Sequence, residues 1–318
     1  MDLAYFFAAI IVGLAVLIWS ADKFVNGAVS LARNAGISTM IIGLTVVAFG
    51  TSAPEMLVSA TAALEGARGL AVGNAIGSNI ANIGLVLGIT ALIAPLPIKP
   101  IVMKRELPLL LTVTLLAFIT LYDNNLGVWD AIFLLSLMGV SLFVLTRKGP
   151  ETPELDAELE EIPDESTKEA LFWCFLGLAA LIGSSKLLVW GATGLATWAG
   201  ISDLIIGLTI VAIGTSLPEM AASIASAIKG HHDIALGNVI GSNLFNLLTV
   251  LPLPGLLNPG DIDGGSFLRD YGFMLGMTCL VSLFAYLMRS RGQISRGEGG
   301  AMVLAYLAYL GTIAQSLV

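Results

Sequence analysis

Long apolar runs, each closed by a short polar or glycine-containing stretch, set the pattern of this chain. A helix that crosses a bilayer needs roughly 20 mostly apolar residues. Ten segments meet that requirement, at about 3–21, 37–64, 70–94, 106–122, 128–146, 170–190, 201–228, 234–257, 267–288 and 299–317. The first and sixth continue, in less apolar form, toward Gly36 and Gly200. The pattern predicts an all-α integral membrane protein of ten transmembrane helices. One long polar stretch rich in Pro, Glu and Asp interrupts it and reads as a solvated linker. The division is therefore 1–146 for a first five-helix unit, 147–169 for the linker and 170–318 for a second unit.

The two units repeat. A shift of 164 residues lays GISTMIIGLTVVAFGTSAPEM, from Gly36 to Met56, on GISDLIIGLTIVAIGTSLPEM, from Gly200 to Met220. The same shift lays AVGNAIGSNIAN on ALGNVIGSNLFN. From Gly36 to Asn82, 27 of 47 positions are identical without a gap. Two apolar segments can match by chance in Leu and Ile, but not in Gly, Pro, Glu, Ser and Asn together, so this is an internal duplication.

Composition agrees and removes whole classes of function. Hydrophobic residues make up 56% and charged residues 12% of the chain, about half the roughly 25% charge of a soluble domain. A soluble enzyme and a disordered regulator are excluded. A nucleic-acid binder is excluded too, since the net charge is −8 rather than basic. The two cysteines, Cys174 and Cys279, lie in separate apolar runs and give neither a disulfide framework nor a zinc motif. The N-terminal run lacks a basic flank and a small-residue cleavage site, and reads as the first span.

The distribution of charge adds orientation. Loops 1–2, 3–4, 5–6, 7–8 and 9–10 carry eleven Lys and Arg residues, and the opposite side carries only Arg68 and Arg269. By the positive-inside rule both termini lie outside and the acidic linker is cytoplasmic. Five spans per unit invert the second unit relative to the first. Such inverted repeats belong to secondary transporters, with the site at the midplane where the halves meet.

Two acids cannot be placed in a loop or near a helix end: Glu55 and Glu219, in GTSAPEM and GTSLPEM of spans 2 and 7. An intramembrane acid is costly and marks function. Pro54 and Pro218 lack an N–H, so the carbonyls of Gly50 and Gly214 lose their helical partner. A broken helix at this depth is tolerated where its freed groups line a cavity. With the hydroxyls of Thr51, Ser52, Thr215 and Ser216, the offer is carboxylate, hydroxyl and carbonyl oxygen. That set suits a hard cation, and two carboxylates match one divalent ion. On spans 3 and 8, Ser78 with Asn82, and Ser242 with Asn246, are four residues apart and share a helix face. Gly73 with Gly77, and Gly237 with Gly241, form small-xxx-small patterns for close helix packing. Asn79 and Asn243 read as packing residues.

GTSxPE followed by GNxxGSN, present twice in inverted halves, resembles the sodium/calcium exchangers of the cation/calcium antiporter superfamily. The resemblance implies that Glu55 and Glu219 coordinate Ca2+ with help from Thr51 and Thr215. It implies Na+ sites drawn from the carbonyls of Ala48 and Ala212 with Ser52, Ser78, Ser216 and Ser242, and a central place for Asn82 and Asn246. Some relatives carry Asp at one of those central positions; here both are Asn, which points away from K+ dependence. The absence of an acid in the GSN motif points away from proton coupling. The implied activity is exchange of Na+ for Ca2+ by alternating access, with export of Ca2+. The ions are transported substrates, the lipid bilayer is a further partner, nucleic acid is not, and no cofactor is expected. In the family, spans 1 and 6 are thought to slide across the rest, and Gly13, Gly27, Ala28, Gly191 and Ala192 are compatible with that. The rivals are exchange of another cation pair, such as H+/Ca2+ or Na+/Mg2+, and a passive cation channel. An enzyme is disfavoured, since no nucleophile–base pair is visible.

The remaining charged residues have plainer readings. His231, His232 and Asp233 read as a solvated loop. Lys23 and Lys186 read as side chains that snorkel to the cytoplasmic interface, with Asp22 and Lys23 an exposed pair. The linker acids lack the DxDxDG order of a calcium loop.

Overall fold

The structure is a computed structural model that describes residues 3–146, 165–200, 212–262, 267–287 and 292–315. The chain is an all-α integral membrane protein built as two inverted five-helix repeats. Span 1 is one helix, Leu3–Ala35, and span 6 its counterpart, Thr167–Trp198. Both run past their most apolar stretch, as the sequence suggested. Span 5 is Val128–Thr146, span 9 Phe267–Leu287 and span 10 Arg296–Gln315. Span 4 opens as a π-helical turn, Val102–Glu106, and continues as Leu107–Ile119. Of span 7 the described part begins at Ala212, so the upstream portion of the second GIS…GTS motif lies outside the described residues, as does most of the linker.

The spans that carry the repeated motifs are the broken ones. Span 2 runs as Thr39–Ile42, a π-helical turn at Gly43–Val47, and Ala48–Thr51; after Ser52 it resumes as Ala53–Leu64, bent by 43°. Span 7 repeats the break at Ser216, between Ala212–Thr215 and Leu217–Ile228. Proline two residues after each break, at Pro54 and Pro218, starts the new helix where a missing N–H costs nothing. Span 3, Arg68–Ile93, turns π-helical at Asn82–Leu87, and span 8, His232–Leu257, does so at Asn246–Val250. Gly66 and Gly230, also 164 apart, both close the preceding helix at φ +83°, a conformation that favours glycine.

Burial is arranged for lipid. Spans 3 and 8 are enclosed for most of their length, whereas spans 1, 5, 6 and 9 keep most of their surface outward. Large apolar side chains such as Ile11, Phe143, Phe175 and Leu304 are exposed. Beside its Leu, Ile and Val, the interior holds many Ser, Thr and Asn: Ser20, Thr51, Ser59, Asn79, Ser223, Asn238 and Asn246 are all buried.

Contacts between loops bear directly on topology. Strand β1 (Leu96–Pro97, loop 3–4) pairs antiparallel with β4 (Gln293–Ile294, loop 9–10), and β2 (Asn125–Leu126, loop 4–5) with β3 (Gly260–Asp261, loop 8–9). Lys99 of loop 3–4 pairs with Asp233 of loop 7–8 at 2.7 Å. Arg68 of loop 2–3 donates to the Asp261 carbonyl of loop 8–9 at 2.8 Å. At the end of span 1, Ser30 and Asn34 donate to Glu165, just before span 6. Every one of these links joins loops that the ten-span inverted layout puts on the same face.

Spans 1 and 6 lie against one another along their length. A Cβ on Gly27 would fall 2.6 Å from the Cys174 nitrogen, and one on Gly177 would fall 2.6 Å from the Phe24 nitrogen. Gly13 and Gly191 are close as well, with a Cβ 3.1 Å from Leu188 and 2.8 Å from the Phe6 carbonyl respectively. These glycines therefore join the two helices to each other and are not a surface on which the pair slides.

Several surface expectations change. Asp22 pairs with Lys229 at 2.5 Å, not with Lys23, whose ammonium lies 4.9 Å over the Trp173 ring. Asp233 is buried and held by Lys99, so the histidine loop is anchored to its neighbour. Lys186 lines a cavity beside Glu65 and Leu70, on the face opposite to the one expected for it. Lys186 stands near the end of the 170–190 run that is away from the linker, which the ten-span layout puts on the 2–3 loop face.

Candidate functional site

Each Glu sits in the first turn after its helix break, three residues beyond Ser52 or Ser216. Both carboxylates are essentially inaccessible, at 1% for Glu55 and 0% for Glu219. Ser52 Oγ lies 3.4 Å from Glu219 Oε1, so the break of one half reaches the acid of the other. The Thr51 hydroxyl is 3.1 Å from Asn238 Oδ1 and 3.1 Å from the Val47 carbonyl. The π-helical turn that starts at Asn82 packs on the helix bearing Glu219, and the one that starts at Asn246 packs on the helix bearing Glu55. The half-sites are thus exchanged across the pseudo-twofold. A π turn adds one residue to the helical circuit and is frequent at functional sites; here it begins at the two asparagines in question.

Several of the polar groups gathered here have no partner within the protein. Among the described residues, Glu55 Oε2, Glu219 Oε2, Ser216 Oγ, Ser242 Oγ and both amide atoms of Asn82 and of Asn246 are buried without a hydrogen-bond partner. Buried polar atoms are nearly always paired, and a concentration of exceptions calls for a ligand or water. The donors are carboxylate, amide and hydroxyl, the chemistry of hard cations. Among the described residues no group of three or more His, Cys, Asp or Glu forms a transition-metal cluster.

Of the other expected residues, Thr51, Ser52, Ser78 and Ala48 are buried. Thr215 is half-buried on the wall of the Lys186 cavity. Ala212 opens the short helix before the second break. Asn79 donates to the Asn243 carbonyl at 3.3 Å between spans 3 and 8, while Asn79 Oδ1 and both amide atoms of Asn243 are buried without a partner among the described residues. The Gly214 carbonyl, freed by Pro218, is taken by Ser185 Oγ of span 6 at 2.9 Å and is not presented to an ion. Gly237 and Gly241 bring span 8 onto the backbone of span 2: a Cβ at either would fall 2.8 Å or less from the carbonyl of Met40 or Leu44.

Two side chains with clear structural roles escaped the sequence reading. Asn74 donates to the Glu55 carbonyl at 3.1 Å and to Ser59 at 2.9 Å. Asn238 donates to the Glu219 carbonyl and to Ser223 at the same two distances. Each amide clamps the turn that aims a carboxylate. The signal was available: Asn74 and Asn238 are the Asn of the repeated GN pair, and Ser59 and Ser223 are identical across the shift.

The whole arrangement has counterparts elsewhere. Residues 5–147 and 169–314 match the family described as sodium/calcium exchanger protein. The chain belongs to the sodium/calcium exchanger family. It is 48% identical over 305 residues to the putative antiporter CaxA of Alkalimonas amylolytica, covering 94% of this chain and 96% of the relative. It is 29% identical to the sodium/calcium exchanger MaX1 of Methanosarcina acetivorans, over 96% of this chain and 97% of that one. Its fold superposes on the solved sodium-calcium exchanger NCX_Mj with a TM-score of 0.84 at 32% identity, covering 98% and 99% of the two chains. As a member of this family the chain is a membrane antiporter and not an enzyme.

Proposed function

We propose that this exchanger moves Na+ against Ca2+ by alternating access at the Glu55–Glu219 site and exports Ca2+ from the cytoplasm. The observation that carries the reading is the meeting of two inverted carboxylates whose outer oxygens lack protein partners, surrounded by the free amides of Asn82 and Asn246. In this reading Glu55 and Glu219 hold Ca2+, with Thr51 and Thr215 beside them. The carbonyls of Ala48 and Ala212, with Ser52, Ser78, Ser216 and Ser242, complete the Na+ sites. Two carboxylates supply the charge that one Ca2+ or a set of Na+ ions neutralises, and the same oxygens cannot serve both at once. A site with both carboxylates uncompensated is costly to carry across the apolar interior, so occupied sites cross and exchange follows. Relatives named as sodium/calcium exchangers support the ion pair, and the excess of Lys and Arg on the linker side supports a cytoplasmic placement of that face.

The test is 45Ca2+ uptake into vesicles loaded with Na+ and diluted into Na+-free buffer. Uptake should rise with the outward Na+ gradient and collapse when Na+ is equal on both sides. Uptake that ignores Na+ and follows a pH gradient would replace Na+ by H+, and uptake without any counter-ion would make the protein a channel.

A further inference from the structure

The two routes to the site are closed differently. A cavity of about 610 Å³ reaches from Glu65 and Leu70, where spans 2 and 3 meet, down to Pro54 and Thr215 of the two GTSxPE motifs, although the buried carboxylates themselves do not line it. Its walls are span 2, at Leu57 and Thr61, and span 6, at Ser185, Lys186 and Trp190. On the opposite face the equivalent elements, span 7 and span 1, are in contact. There Leu17 and Ala21 pack with Ala221 and Ala225. The shift of 164 residues converts Ala21, Ala221 and Ala225 into Ser185, Leu57 and Thr61, so residues that line the open cavity are the images of residues that seal the closed route.

The same shift converts Asp22 into Lys186 and Lys229 into Glu65. On the closed face Lys229 Nζ lies 2.5 Å from Asp22 Oδ1, 2.7 Å from Asn26 Oδ1 and 3.1 Å from the Asp22 carbonyl. On the open face Lys186 and Glu65 line the cavity, are both exposed and, among the described residues, form no ion pair. Each pair joins span 1 or 6 to the end of span 7 or 2. The signs have reversed between the repeats at both members, which keeps them complementary. A pair of unrelated surface charges has no reason to keep that relation.

We infer that Asp22–Lys229 and Lys186–Glu65 are a charge-swapped pair of gates, one latched when the site opens to the 2–3 loop face and the other latched when it opens to the opposite face. The inference rests on the alternating-access reading but not on the identity of the ions. Movement of spans 1 and 6 that parts Asp22 from Lys229 would carry Lys186 toward Glu65. An exposed ion pair contributes little, so the latches bias a balance between two states and need not lock either.

The test uses the full chain in sealed vesicles, with Cys174 and Cys279 replaced and one reporter cysteine at Thr61 or at Ala225. A membrane-impermeant methanethiosulfonate reagent is added from either face. Asp22→Asn should speed labelling of the Ala225 reporter and slow that of the Thr61 reporter, each by about two- to five-fold, the population change that loss of an exposed pair can give. Lys186→Gln should do the reverse. The exchange Asp22→Lys with Lys229→Asp should restore the parental ratio. If Asp22→Asn and Lys186→Gln move the ratio in the same direction, or the exchanged pair behaves like Asp22→Asn alone, the inference is wrong. A charge-independent arm pairs cysteines at positions 65 and 186. Oxidation should trap them and protect the Thr61 reporter, and failure to cross-link with or without Ca2+ and Na+ overturns the gate. Alternating labels with Ca2+ uptake blind to Na+ would sink the ion assignment and leave the gate standing.

Discussion

The Thr51 hydroxyl of span 2 lies 3.1 Å from Oδ1 of Asn238 in span 8, whose amide nitrogen is in turn 3.1 Å from the Glu219 carbonyl. One side chain therefore ties the break of the first half to the acid-bearing turn of the second. Asn238→Leu keeps the volume, removes the partner of the buried Ser223 hydroxyl and takes one bond each from Thr51 and the Glu219 carbonyl. It should cost about 1–3 kcal/mol, the penalty of an unsatisfied buried group, and lower Ca2+ uptake as well. Asn74→Leu, at a half-buried position, should cost less. Thermal unfolding in detergent beside uptake in vesicles reads both; equal, negligible effects would remove Asn238 from this role.

Glu55→Gln and Glu219→Gln keep shape while removing charge. Each should bring Na+-driven uptake to the vesicle background in a folded protein. Ca2+ at about 100 times its dissociation constant should stabilise the parent by about 2.7 kcal/mol, and the variants should lose that increment. Normal transport by either would displace the site.

Close packing of span 8 on span 2 can be probed through its glycines. Gly241→Ala puts a Cβ 2.5 Å from the Leu44 carbonyl, and Gly237→Ala is similar. Overpacking of this kind costs about 1–3 kcal/mol. Gly139→Ala in span 5, where the described residues leave a Cβ free of contacts within 4 Å, should be neutral or stabilising by up to about 1 kcal/mol. Comparing melting temperatures of the three separates packing from general intolerance.

The ribbons give a direct check on sidedness. Single cysteines at Asp261, in β3, and at Gln293, in β4, are both at exposed positions. An impermeant reagent added outside cells should label Asp261→Cys and spare Gln293→Cys. The opposite result would invert the proposed orientation, and labelling of both from one side would break the ten-span layout.

Much of this was legible in the residues, for physical reasons. Apolar length specified the spans, and proline after GTS specified the breaks at Ser52 and Ser216. Identity across 164 residues specified the inverted repeat. Partners were harder to read. That Ser185 would take the Gly214 carbonyl, or that Lys229 would reach Asp22, depends on which helices neighbour one another, and hydropathy is blind to that. Lys186 was expected on the cytoplasmic face although it stands at the end of span 6 away from the linker, and the structure puts it with Glu65 on the 2–3 loop face. The π-helical turns at Asn82 and Asn246 have no signature in local propensity; they come from packing on the opposite half. Asn74 and Asn238 were overlooked because an amide bonded to a backbone carbonyl looks, in sequence, like any polar residue in a motif.

Each two-stranded ribbon draws one strand from the first half of the chain and one from the second. A half-length fragment would carry one strand for each side of the bilayer and a complement for neither. It would also present Asn82 and Glu55 with no opposing helix. Such a fragment has only one way to mend both deficits, by meeting a copy or its sister inserted upside down. Co-expressed halves should therefore find each other in the membrane without a covalent join.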